Sequence, residues 1–229
     1  MCPTADHGAF KGRGGKPEVR LEAICDFDMY IWWLYFGTAG AANDLSIVSE
    51  SPLFNAIRAG SWPPQRSQGI VEGLSLTWYY YLVDGIYPRF RIFAPPLPYS
   101  TTAKGKLYSK RQEAERKSVE RLFGVLFKRF NILFQPSRLY RKADMRAVVQ
   151  ACAIIHNMVV AARRDGYADP IMRVDADAMR VVRPQQPASE AELREFWETH
   201  VDGTDDLQQQ QALLEALQDH IWRVSGADS

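Results

Sequence analysis

The chain has 229 residues, of which 46% are apolar and 12% aromatic. That composition fits one well-cored domain with an appendage and excludes a disordered chain. Formal net charge is only +1, but it is unevenly spread. Residues 1–100 carry 8 basic and 9 acidic residues, residues 101–164 carry 15 and 4, and residues 165–229 carry 5 and 14. A middle block this basic suits a polyanion, with phosphates the common one. The acidic tail can fold back over that block or serve solubility. Three widely spaced cysteines, Cys2, Cys25 and Cys152, fit neither a disulfide framework nor a zinc spacing and read as reduced thiols. No uninterrupted apolar run approaches the roughly 20 residues of a membrane span. The polar, glycine-rich N-terminus does not read as a secretory signal. Met1-Cys2-Pro3 reads like the middle of a larger domain.

Residues 1–17 form a glycine- and lysine-rich loop containing His7. Val19 to Cys25 alternate as a strand does. Asp26-Phe27-Asp28 makes a turn into a more buried apolar strand from Met29 to Phe36. Gly37 and Gly40 end it, and a helix is expected over 43–59, capped near Asn43. Residues 60–69 read as a loop, and Tyr79 to Val83 as a third strand that exits through Asp84-Gly85. Arg91 to Ala94 suggest a short fourth strand before the break at Pro95, Pro96 and Pro98.

A long helix is expected from Lys104 to Phe130, with Val119, Leu122, Phe123, Leu126 and Phe130 as its buried stripe. Glu120 falls on the edge of that stripe, while Lys117, Arg121 and Lys128 point away from it. A second helix, 143–164, places Val148, Cys152, Ile155 and Val159 inward. Ser189-Glu190-Ala191-Glu192 is a capping-box pattern. It precedes a helix with Leu193, Phe196 and Trp197 on its apolar face. A last amphipathic helix carries Leu207, Leu214, Leu217, Ile221 and Val224, interrupted by four glutamines.

Three acids attract attention: Asp44, Asp84 and Glu120. An acid at a strand tip and an acid on a downstream helix can hold a divalent ion, the arrangement two-metal phosphodiester cleavage needs. Asp84 follows an apolar run, where a carboxylate is costly unless something uses it. The other reading is a turn cap before Ile86-Tyr87-Pro88, and spacing leaves both open. Glu120 read alone is a solvated helix acid or the partner of a nearby base such as Arg116 or Arg121. Asp44 alone is an acid at a helix N-terminus. His156, on an apolar helix, reads as a hydrogen-bonded packing residue rather than a base. The basic stretch from Lys104 to Arg146 is either a solvated face or a phosphate-binding one, and its density favours the second. The aromatic runs at 30–33 and 78–81 read as core strand rather than a base-stacking platform.

Several blocks occur together in order. They are Cys2-Pro3-Thr4-Ala5, His7-Gly8, Lys16-Pro17, Leu21-Glu22-Ala23, Asn43-Asp44, Ser51-Pro52-Leu53-Phe54 and Tyr81-Leu82-Val83-Asp84-Gly85-Ile86-Tyr87-Pro88. Val119-Glu120-Arg121-Leu122-Phe123-Gly124-Val125-Leu126, Arg129-Phe130 and Ile155-His156-Asn157-Met158 follow. In this combination the chain resembles the PIF/Harbinger family of DDE transposases and Harbinger transposase-derived nucleases, in the plant transposon protein branch. The resemblance covers about residues 1–164, leaving 165–229 as an acidic helical C-terminal extension.

The resemblance implies an α/β, ribonuclease-H-like fold, a mixed sheet flanked by helices. It implies a nuclease or transposase centre that uses Mg²⁺ or Mn²⁺, with Asp84 and Glu120 as catalytic acids and Asp44 as a further metal ligand. Lys117, Arg121 and Lys128 are the expected DNA contacts. In this family the first aspartate lies upstream of the Cys-Pro motif, so the chain is expected to lack it together with the first strand, and to cut poorly. DNA, a Myb/SANT-like DNA-binding protein and a second copy of the chain are the implied partners, with no membrane. The implied location is the nucleus, with the cytoplasm as a second site. The alternative is a domesticated module that binds DNA or protein without cutting.

Overall fold

The computed structural model describes residues 10–11, 15, 18–39, 51–58, 69–76, 79–85, 87, 89–139, 141–164 and 204–226. Its elements are β1 (Val19–Cys25), β2 (Ile31–Ala39), α1 (Pro52–Arg58), β3 (Gly69–Val71), β4 (Leu74–Leu76), β5 (Tyr81–Leu82) and β6 (Phe93–Ala94). They continue with α2 (Ala103–Arg129), α3 (Asn131–Phe134), α4 (Lys142–Arg163) and α5 (Thr204–Val224). The class is α/β. The expected single mixed sheet is not what the described strands form. They pair as three two-stranded sheets, β1-β2 and β3-β4 antiparallel and β5-β6 parallel.

The chain divides into two compact units, 1–43 with 117–186 and 44–116 with 187–229. In the first, Asp26 builds the β1-β2 turn. Its Oδ1 accepts from the amides of Asp28 at 3.1 Å and Tyr30 at 3.0 Å, a carboxylate standing in for a backbone turn. Met29 is forced to φ 66°, a left-handed conformation that costs a residue with a Cβ about 1–2 kcal/mol. Ile31, Leu122, Leu126 and Ala153 form the buried cluster, with Ala23, Leu34, Phe123 and Phe130 packed on it. The stripe expected on α2 is therefore present, with Leu122 and Leu126 fully buried.

The inward face of α4 differs from expectation. Val149, Cys152, Ala153, His156, Asn157 and Val160 are buried, while Ile155 is 48% exposed. The face is turned because two polar residues point in. Asn157 accepts from the Ile31 amide and donates to the Ile31 carbonyl, both at 2.8 Å, acting as a strand partner for β2. The Nε2 of His156 lies 2.8 Å from the Met29 carbonyl, holding the strained residue. His156 is thus a hydrogen-bonded packing residue, as its place on an apolar helix suggested. By length and composition α4 could cross a membrane, although Arg146 and His156 interrupt its apolar run. Here its polar side chains serve the hairpin, and Arg146 donates to the Phe36 carbonyl at 3.2 Å.

In the second unit, α1 starts at Pro52 rather than near residue 43. The Ser51 hydroxyl accepts from the Phe54 amide at 3.2 Å, and proline at the first helical position suits that cap. Residues 43–50 lie outside the described residues. The β3-β4 hairpin was not foreseen. Its two-residue turn, Glu72-Gly73, takes φ 46° and 82°, the positive pair a hairpin of this length needs. Glutamic acid is an uncommon first residue there, so the signal is faint. Ala94, Tyr108, Leu213 and Leu217 make the core of this unit, with Val71, Leu74, Leu76 and Leu82 around it. The glutamines of α5 do not interrupt it. Gln210 is buried and donates to the Phe93 carbonyl at 2.9 Å. Val224, expected inward, is 67% exposed. The helix expected after Ser189 lies outside the described residues.

Candidate functional site

Asp84 follows the buried Val83, just beyond β5. Tyr81 donates to Ile92 at 2.8 Å and Val83 to Ala94 at 3.4 Å, forming the parallel β5-β6 ladder. The ladder stops there, and the chain turns outward. The Asp84 side chain is 58% exposed. Its Oδ1 accepts from the Gly85 amide at 2.6 Å, and its carbonyl accepts from Tyr87 at 3.1 Å. The turn-capping role is therefore real, and it leaves the other carboxylate oxygen, Oδ2, facing a cation. Arg116 Nη1 lies 3.8 Å from that oxygen.

Gln112, one helical turn before Arg116 on α2, supports the same exit from behind. It is 2% exposed, and its Nε2 donates to the carbonyls of Val83 at 2.8 Å and Ala94 at 2.9 Å. Sequence reading singled out neither residue for Asp84. The i, i+4 spacing of Gln112 and Arg116 is a signal, but one visible only once Asp84 is known to abut this helix.

Glu120 is exposed on α2, beside the fully buried Leu122. It belongs to the first unit and Asp84 to the second. Asp44 and His7 lie outside the described residues. Lys117, Arg121 and Lys128 are exposed, and Arg121 donates to Ser118 Oγ at 2.7 Å. They give the part of α2 in the first unit a cationic outer surface, and Lys110 and Arg111, in the second unit's part, are also exposed. Burial, and then Asp26, push the Cys25 thiol up to about 11. Burial raises Cys152 as well. Both cysteines are therefore neutral thiols at ordinary pH and poor metal ligands.

Carboxylate oxygens are the right donors for Mg²⁺ or Mn²⁺. Among the described residues, however, no three His, Cys, Asp or Glu side chains come together as a cation cage.

The family model for plant transposon proteins matches residues 1–167. The chain belongs to the plant transposon protein family. This family is part of the PIF/Harbinger-type, transposase-related group, which agrees with the resemblance read from the motifs. No curated protein and no solved structure matches the chain. The plant transposon match takes in every described residue of the first unit. In the second unit it covers Asp84, Gln112 and Arg116 but ends before α5, whose Leu213 and Leu217 complete that unit's core.

Proposed function

We propose that this plant transposon protein is a DDE-type, transposase-derived protein that acts on DNA, with the fold of the ribonuclease-H-like nucleases. In this reading Asp84 and Glu120 are its catalytic acids, Asp44 is a further metal ligand, and Mg²⁺ or Mn²⁺ is the cofactor. The outer surface of α2, through Lys117, Arg121 and Lys128, binds the phosphate backbone. Sequence-specific recognition comes from a Myb/SANT-like partner, the chain also associates with a second copy of itself, and the protein works in the nucleus. Family membership supports this reading. The observation that carries it furthest is Asp84 itself, an exposed carboxylate at a strand exit, backed by a buried glutamine.

A second reading has its own support. Arg116 Nη1 lies 3.8 Å from Asp84 Oδ2, and a carboxylate that already has a protein cation beside it suits a module that binds DNA without cutting it. One experiment separates the two. Purified protein is incubated with supercoiled DNA and Mn²⁺ or Mg²⁺, and gel shifts are recorded over a salt series. The nuclease reading expects metal-dependent nicking that Asp84→Asn abolishes. Nicking that survives Asp84→Asn, or none at all, removes it. A metal-independent, salt-sensitive shift then supports the module. Either reading expects that replacing Lys117, Arg121 and Lys128 together with Ala lowers the slope of log affinity against log salt by about 2–3. An unchanged slope would remove α2 from the DNA interface.

A further inference from the structure

We infer that Gln112 and Arg116 are a positioning pair for Asp84, setting its backbone from one turn of α2 and its carboxylate from the next. The inference deepens the reading above, because it concerns the acid to which that reading gives the chemistry.

The backbone half comes from Gln112. The β5-β6 ladder ends at Val83, whose carbonyl has no further strand to pair with among the described residues. Gln112 Nε2 takes that carbonyl and the Ala94 carbonyl across from it, at 2.8 and 2.9 Å. Both amide protons are spent on carbonyls, so the reverse orientation, with oxygen against oxygen, is ruled out. The amide serves as one more rung between the strands, placed at the residue before Asp84. Its Oε1 is buried without a hydrogen-bond partner among the described residues. Burying an unspent acceptor is costly. A methionine of the same shape would fill the space without that cost, so packing alone does not explain the glutamine, and the bridging donors do.

The carboxylate half comes from Arg116. Its side chain is mostly covered, 24% exposed, and Nη1 lies 3.8 Å from Oδ2 of Asp84, while Oδ1 is held by the Gly85 amide. One oxygen is thus held by an amide and the other has the guanidinium charge 3.8 Å away, which favours one rotation of the carboxylate. Gln112 and Arg116 are four residues apart on one rigid helix, so the two constraints are rigidly linked.

The test uses the full chain, labelled for NMR, as wild type, Gln112→Met and Arg116→Met. Amide exchange at Val83 is compared with exchange at Leu213 and Leu217 in α5, and the Gly85 amide proton shift is recorded. Gln112→Met is expected to speed Val83 exchange about tenfold while the α5 amides change little. Arg116→Met is expected to move the Gly85 proton shift and leave Val83 exchange near wild type. Should Gln112→Met fail to fold, Gln112→Asn keeps the amide one methylene short and is expected to show the same selective effect, reduced. Uniform acceleration across Val83, Leu213 and Leu217 would reveal a general stabilising role and overturn the inference, as would no change at Val83 or at Gly85. These readouts need no metal and no cleavage. Loss of Asp84-dependent nicking from the functional account therefore leaves them standing, and their failure leaves that account untouched.

Discussion

At the scale of single residues, His156 shows how a buried polar group specifies a fold. Arg129 Nη1 lies 3.0 Å from its Nδ1. Arginine can only donate, so Nδ1 must be the bare acceptor, and Nε2–H donates to Met29. The ring is neutral. Burial lowers its pKa, and the cations of Arg129 and Arg163 push the same way, against the opposing bond to Met29. The unfolded chain takes up a proton near pH 6.5, whereas the folded chain resists it. The stabilisation is therefore complete above about pH 6.5 and is lost as pH falls through the lowered folded value. Urea midpoints are expected to decline below about pH 6.5. His156→Leu is expected to flatten that decline and to cost about 2–4 kcal/mol at pH 7 by stranding the Met29 carbonyl and Arg129. An unchanged slope in the variant would mean that the ring protonates freely in the fold.

At the scale of elements, α2 sets one substitution against itself. Gly105, in its first turn, is buried, and an added Cβ would lie 2.0 Å from Ser100 Oγ and 2.7 Å from Ser100 Cβ. Gly124, near its end, is exposed with nothing within 4 Å. Alanine normally stabilises a helix over glycine by about 0.5–1 kcal/mol. Gly124→Ala is expected to realise that gain. Gly105→Ala is expected to lose about 1–3 kcal/mol through overpacking. Urea unfolding of the two variants measures both, and equal signs would contradict the packing at Ser100. Periodicity made α2, α4, β1 and β2 legible, because each repeats an apolar face over several turns or pleats. It misplaced the inward face of α4, since His156 and Asn157 point in to bond the hairpin backbone and pattern reading sends polar residues out. It ran a helix through Ser51-Pro52, although that pair is a start signal. It passed over β3-β4, a pair of three-residue strands around a Glu-Gly turn.

At the scale of the whole molecule, the charge blocks and the motif order pointed to a transposase-related protein, and the family match bears that out. Asp84 stood out as a carboxylate after an apolar run, but its 58% exposed side chain lies at a solvated strand exit, so the expected burial cost is not what marks it. Its supports were not legible, because the contacts of Gln112 with Val83 and of Arg116 with Asp84 span 29 and 32 residues of chain. The apolar stripe of the last helix picked out Leu217, but not Leu213 or Gln210, as part of a core. The central claim is that Asp84 offers its carboxylate to a divalent cation. The most direct measurement titrates the labelled chain with Mn²⁺ and follows paramagnetic broadening of backbone amides. Broadening centred on Gly85, competed by Mg²⁺ and absent in Asp84→Asn, is the expected result. An intact Gly85 signal, with broadening elsewhere or nowhere, would contradict it.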